Sequence, residues 1–163
     1  MHLIVKNGVA GRGVFAQAPI AAGELILPFT GPLLTYNQTN HHTLAVQIGP
    51  DLYLGASGNM DDCVNHSCDP NAGLRIAGAG GKASAWDVRL IALRDIAAGE
   101  EIAFDYSTTM DEDDFEMPCQ CGSKACRKTI RDFKHLPVDL KRRYILLDVV
   151  PEYNRRYANG DKE

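Results

Sequence analysis

No stretch of this 163-residue chain approaches the ~20 consecutive apolar residues that span a bilayer as a helix, so no membrane association is expected. A basic excess is lacking too. The formal net charge is −4 and the pI about 5.7, which leaves no broad basic face to meet phosphates, and no direct nucleic-acid binding is expected. A basic protein is the better-matched partner. The opening residues, Met1 to Gly8, lack the charged flank, apolar run and small-residue cleavage site of a secretory signal, so the expectation is an intracellular protein, cytoplasmic or nuclear. Cysteine is sparse, and the odd count of five excludes complete pairing into disulfides. In a reducing compartment such thiols bind metal or are buried.

What is present fits one domain with its own core, since the chain is too short for two ordinary ones. Short apolar runs at 24–29, 43–48, 52–54, 72–76, 84–93 and 101–106 read as strands, punctuated by Gly8, Gly11 and Gly13, by Gly31-Pro32 and Gly49-Pro50, and by a glycine-rich connection at 78–81. Two segments echo each other, Ile20 to Ile26 and Ile96 to Ile102, each a glycine turn feeding a strand. One echo does not make a repeat architecture. From Leu136 the texture becomes helical, with Leu136, Leu140, Tyr144 and Leu147 on one face, Pro137 suited to a first turn and Asp139 near the positive end. The spacing predicts a helix over 137–148, a shorter one over 151–158 and a frayed tail over 159–163. The fold class is mainly β with minor α.

Cys119, Cys121 and Cys126 place three thiols within eight residues, with Gly122 permitting a tight turn between them. Zinc takes four ligands in a tetrahedron, with Zn–S near ~2.3 Å, so a fourth must come from elsewhere. Spacing leaves Cys63, Cys68 and the histidines open.

Three blocks then stand in a telling order: Asn65-His66-Ser67-Cys68-Asp69-Pro70-Asn71, then Gly99-Glu100-Glu101-Ile102-Ala103-Phe104-Asp105-Tyr106, then the cysteine block followed by Arg127. Together with Gly11-Arg12-Gly13-Val14-Phe15-Ala16 they resemble the signature segments of SET-domain protein-lysine methyltransferases. The resemblance implies a β-clip-type fold of small sheets around a knot-like core. It implies a SET domain over 1–110 and, within one compact unit, a post-SET zinc-binding segment with C-terminal helices over 111–163. It implies that S-adenosylmethionine is bound by the backbone of Arg12, Gly13 and Val14 and by Asn65, His66 and Tyr106. It selects Cys68 as the fourth zinc ligand beside Cys119, Cys121 and Cys126, and leaves Cys63 as a core residue.

The chain also departs from the family pattern. Asp62 and Cys63 stand where an arginine and an aromatic are usual, Lys128 replaces a glycine, no pre-SET cysteine cluster flanks the domain, and Ile130 and Phe133 are the candidates to cover the adenine.

The implied reaction needs a neutral lysine amine, and a free lysine has a pKa of ~10.4, so deprotonation at pH 7 costs ~4.6 kcal/mol unless the site lowers that pKa. An apolar channel and the cofactor's positive sulfonium both act in that direction. The resemblance gives Tyr106 the role of orienting the amine and Tyr53 that of a second channel tyrosine. Phe104 stands where the family controls the number of methyls, and phenylalanine leaves room for di- or trimethylation. The acidic run Asp111 to Glu116 reads as a solvated loop that steers a basic peptide, a histone or another basic tail. The chief rival is an idle SET module that binds partners. A zinc hydrolase fits poorly, because four cysteine ligands leave no position for water.

Overall fold

Two turns of nearly the same sequence face each other across the middle of the fold. In a computed structural model, which describes residues 2–39, 44–78, 86–113 and 115–159, Ile20 and Ile96 exchange backbone hydrogen bonds at 2.9 Å in both directions. Gly23 (φ 83°) and Gly99 (φ 86°) close the turns in the left-handed region, where a Cβ would be strained. In each turn a glutamate folds back, Glu24 accepting the N–H of Ala21 at 3.1 Å and Glu100 that of Ala97 at 3.0 Å. The echo in the sequence is therefore a facing pair of turns.

In chain order the strands are β1 (Leu3–Gly8), β2 (Gly11–Ala16), β3 (Leu25–Phe29), β4 (Leu33–Leu34), β5 (Val46–Gly49), β6 (Leu52–Leu54), β7 (Asn65–His66), β8 (Ala72–Gly78), β9 (Trp86–Ala92), β10 (Glu101–Phe104), β11 (Glu116–Pro118) and β12 (Thr129–Arg131). The α-helices are α1 (Tyr36–Thr39), α2 (Val138–Leu146) and α3 (Glu152–Arg155). The strands form four small sheets, ordered β1-β2-β10-β7, β3-β9-β8, β4-β6-β5 and β11-β12. All pairs are antiparallel except β7 on β10, which run side by side and bring Asn65 and His66 next to Ala103 and Phe104.

The β1–β2 hairpin escapes the sequence reading because Gly8, Gly11 and Gly13 look like spacers. Gly13 lies inside β2 for a steric reason, since a Cβ there would collide with the Glu101 carboxylate. Residues 79–85, which hold most of the glycine-rich connection, lie outside the described residues, as does the tail from 160. The run at 43–48 begins as a strand only at Val46.

The main core is built from β2, β3, β8, β9 and β10, with Val14, Leu74, Leu90 and Ile102 fully buried. A second cluster of Phe133, Leu136, Tyr144, Val149 and Val150 fastens the C-terminal helices. Close approach is needed there, because a Cβ on Gly73 would meet Val149 Cγ1 at 2.6 Å. Helix α2 is shorter than the spacing predicts, with Pro137 as its N-cap and Asp148 in the left-handed region just beyond its end (φ 56°).

Candidate active site

Two cavities share a wall. One, of about 330 Å³, is lined by Tyr36, Tyr53, Phe104 and Glu112 among others. The other, an open cleft of about 1020 Å³, is lined by Arg12, Asn65, His66, Cys119, Cys121 and Ile130 among others. Tyr106, Asp62, Leu44 and Met117 face both. Tyr106 thus stands where the two spaces meet.

Tyr106 opens a 3-10 turn after β10, and Asp105 caps that turn by accepting the N–H of Ser107 at 3.1 Å. The Tyr106 hydroxyl donates to the carbonyl of Val64 at 2.8 Å. Burial, and after it the charge of Glu101, push its pKa above the ordinary tyrosine range, so it stays protonated. Its ring packs on Phe104 (4.8 Å between centroids) and His66 (5.3 Å), and Phe104 in turn meets Phe29 edge-on. Tyr53, on β6, belongs to the smaller cavity. Burial first, then a hydrogen bond and charge from Glu112, raise its pKa.

On the cleft side, the Asn65 side-chain nitrogen donates to the Arg12 carbonyl at 3.0 Å and to Glu101 Oε1 at 2.7 Å. Both amide hydrogens are consumed, and the amide oxygen remains as an acceptor. Glu101 is a site residue that the sequence reading missed. Val14 is 0% exposed, its side chain in the core, which leaves the expected backbone contact untouched. One expected cofactor contact is corrected. Phe133 is also fully buried, in the C-terminal cluster, and does not line the cleft, whereas Ile130 does.

The cysteines converge as expected from their spacing. Cys68 and Cys119 have their sulfurs 3.7 Å apart, as do Cys119 and Cys126. A tetrahedron of ~2.3 Å Zn–S bonds has edges of ~3.8 Å, so these separations fit zinc. The donor atoms of His66, Cys68, Cys119 and Cys121 lie within 4.8 Å of one another, which makes His66 a competitor of Cys126. The hydrogen bonds decide between them. His66 Nδ1 accepts the N–H of Tyr106 at 3.2 Å, so the proton of the neutral ring sits on Nε2, 3.3 Å from Cys68 Sγ. In that tautomer Nε2 donates to the sulfur and has no lone pair to offer a metal. The ring is neutral because burial lowers its pKa to about 4, so the Asp105 carboxylate at 3.6 Å makes no ion pair with it near pH 7. Cys63 is half-buried at the cleft and outside the cluster, not a fully buried core residue.

Two further features correct the sequence picture. Asp105, buried behind the site, accepts from Arg127 at 2.7 Å and from Tyr144 of α2 at 3.0 Å. The acidic run is not a free loop. Asp111 pairs with Arg156 at 2.6 Å and with the Tyr157 hydroxyl at 2.9 Å, Asp113 with Lys134, and Glu116 with Arg131 at 2.6 Å. Asp114 lies outside the described residues. Asp62, one of the departures from the family pattern, and its neighbour Asp61 are loop fasteners: Asp61 accepts the N–H of Thr30 (2.8 Å), and Asp62 those of Ser57 (2.9 Å) and Gly58 (2.8 Å).

A family model described as SET domain matches residues 11–107. The histone-lysine N-methyltransferase trithorax of Drosophila virilis is 29% identical over 137 residues, covering 77% of this chain and 3% of that protein. Human histone-lysine N-methyltransferase 2B is 28% identical over 137 residues (77% and 5%). The H3 lysine-4 specific enzyme of Saccharomyces cerevisiae is 28% identical over 139 residues (77% and 13%). The chain thus spans a small fraction of these relatives. Among solved structures, KRYPTONITE in complex with mCHG DNA and SAH superposes with a TM-score of 0.66 at 23% identity, covering 80% of this chain and 29% of that one. A second KRYPTONITE complex, with an H3(1-15) peptide, mCHH DNA and SAH, gives 0.65. No helix among the described residues is long and apolar enough to cross a membrane.

Proposed function

This chain belongs to the SET-domain family, and from that premise we infer that it transfers methyl groups to the side-chain amine of lysine in a basic protein, such as a histone tail. The observation that carries this reading is the shared wall: Tyr106 faces the large cleft and the narrow cavity at once. S-adenosylmethionine supplies the methyl group. The cleft has the size of a cofactor site, and Asn65, with both amide hydrogens engaged, offers it a fixed acceptor. Tyr53, Phe104 and Tyr106 form the walls of the lysine channel.

Tyr106 gives its own proton to Val64, so its oxygen is left to accept an N–H of the amine. Phe104 places no hydroxyl beside that amine, which supports di- or trimethylation. Cys68, Cys119, Cys121 and Cys126 hold zinc, tying the post-SET segment to the cleft, with His66 donating to the Cys68 sulfur. The boundary near residue 110 separates catalytic and post-SET parts of one unit.

Histone H3 and a panel of basic proteins incubated with labelled cofactor test the reading. Incorporation that Tyr106→Phe lowers by about 10- to 100-fold, with cofactor binding retained, supports it. No incorporation on any substrate, with peptide binding intact, favours the idle binding module.

A further inference from the structure

The smaller cavity is lined in part by Val46 of β5 and in part by Thr109 and Met110, just after the turn that carries Tyr106. No strand ladder joins these two walls. β5 ends its three-stranded sheet, so among the described residues its outer edge has no strand partner. Two side chains do the joining instead. The Gln47 side-chain oxygen accepts the N–H of Asp111 at 2.8 Å. The Tyr153 hydroxyl, from α3, lies 2.7 Å from the Thr109 carbonyl and 3.1 Å from that of Gln47, so its one hydrogen faces an acceptor on each wall.

α3 holds the same segment on both sides of Thr109. Asn154, fully buried, donates from its amide nitrogen to the Thr108 carbonyl at 3.0 Å and to that of Met110 at 3.3 Å. With Tyr153 between them, three successive carbonyls are fixed by two neighbouring side chains. The hold reaches Tyr106, because Thr109 donates both its N–H and its hydroxyl to the Tyr106 carbonyl, each at 3.2 Å. None of Gln47, Thr109 and Tyr153 lines the cofactor cleft, so this bracing acts on the side where the amine would enter. Transfer requires that amine in line with the methyl group, and a small shift of a wall costs rate even where no cofactor contact changes.

We propose that Tyr153 is a positioning residue for methyl transfer, setting the spacing of the lysine channel by tying the edge of β5 to the turn that carries Tyr106. The proposal rests on the methyltransferase reading above and extends the channel's support to α3, outside the 11–107 stretch that matches the SET family.

Steady-state kinetics of the full chain on a lysine peptide test it, with affinity for S-adenosylhomocysteine measured alongside. Tyr153→Phe keeps the ring and removes only the tie, so kcat should fall about tenfold while that affinity stays within about twofold. Gln47→Met, which cuts the second tie between the same walls, should show the same split. Tyr157→Phe is the control, because its hydroxyl bonds the Asp111 carboxylate and Asp111 does not line the cavity. It should lower the melting temperature and leave kcat within about twofold. An unchanged kcat in Tyr153→Phe would overturn the proposal, whatever its melting temperature. So would equal kcat losses in Tyr153→Phe and Tyr157→Phe, the mark of a generally loosened C-terminus, or a loss of S-adenosylhomocysteine affinity as large as the loss of kcat. If Tyr153→Phe fails to fold, Gln47→Met decides alone by the same split. An unmodified chain that transfers no methyl sinks the parent reading and this one with it, whereas an active chain with the wrong variant pattern sinks this one alone.

Discussion

The ring nitrogen Nδ1 of His66 accepts the backbone N–H of Tyr106 at 3.2 Å, so the residue that touches the cysteine cluster is oriented by the residue that faces both cavities. The cluster and the cleft share one imidazole. With Nε2 protonated, His66 donates to the Cys68 sulfur and would stand outside the ligand set of the proposed zinc.

Metal analysis separates these roles. Cys68→Ser and Cys126→Ser should lose bound zinc, and Cys63→Ser should keep one ion per chain. His66→Ala should keep the same stoichiometry at saturating zinc while binding it ~10- to 100-fold more weakly, the usual cost of an outer-shell loss. Full zinc in Cys126→Ser with none in His66→Ala would reverse the assignment.

Asp105 is fully buried and serves both Arg127, from the cysteine segment, and Tyr144, from α2. Removing the cation leaves an uncompensated buried carboxylate, so Arg127→Met should cost ~3–5 kcal/mol of stability. Tyr144→Phe removes one hydrogen bond and should cost ~1 kcal/mol. Adding Asp105→Asn to Arg127→Met should recover part of the larger loss. Denaturant melts that rank Tyr144→Phe as the more damaging would refute this ordering.

Asp132 carries a carboxylate oxygen that is buried without a hydrogen-bond partner, and burial raises its pKa above the ordinary value. Between the unfolded and folded values the native state holds a proton that the unfolded chain does not, so this group favours folding more as pH falls through that window. The melting temperature of Asp132→Asn minus that of the unmodified protein should therefore decline as pH is lowered from 7 towards 4. A flat difference would show that Asp132 does not titrate differently on folding.

Residues within one signature block were legible because spacing along the chain sets their chemistry. Three thiols in eight residues announce a metal site, and Tyr106 follows its strand directly. Contacts between distant segments left no local trace. Asp105 meets Tyr144, and Asn65 meets Glu101, only because separate elements pack together. Phe133 misled for the same reason. An aromatic next to the cysteine block looks like an adenine cover, but α2 folds over it, setting Lys141 Nζ 6.0 Å from its ring. Asp111 looked solvated because Arg156 and Tyr157, which hold it, arrive some 45 residues later, while Asp113 and Glu116 are exposed as their sequence suggests.

The number of methyls transferred is tested at Phe104. Phe104 is 2% exposed, its ring held between Phe29 at 5.9 Å and Tyr106 at 4.8 Å, so its place on the wall of the smaller cavity is fixed by packing. A tyrosine there adds a hydroxyl to a nearly closed wall. That oxygen would bond an amine N–H and fill volume that a methylated amine requires, so Phe104→Tyr should shift product to monomethyl-lysine while slowing the first transfer by less than about tenfold. Mass spectra of a lysine peptide after extended reaction read this directly. Higher methylation from the unmodified protein and mainly monomethylated product from Phe104→Tyr would fit the geometry. Only monomethyl product from the unmodified protein would overturn this reading, because the space beside Phe104 would then be closed by another group of the same cavity.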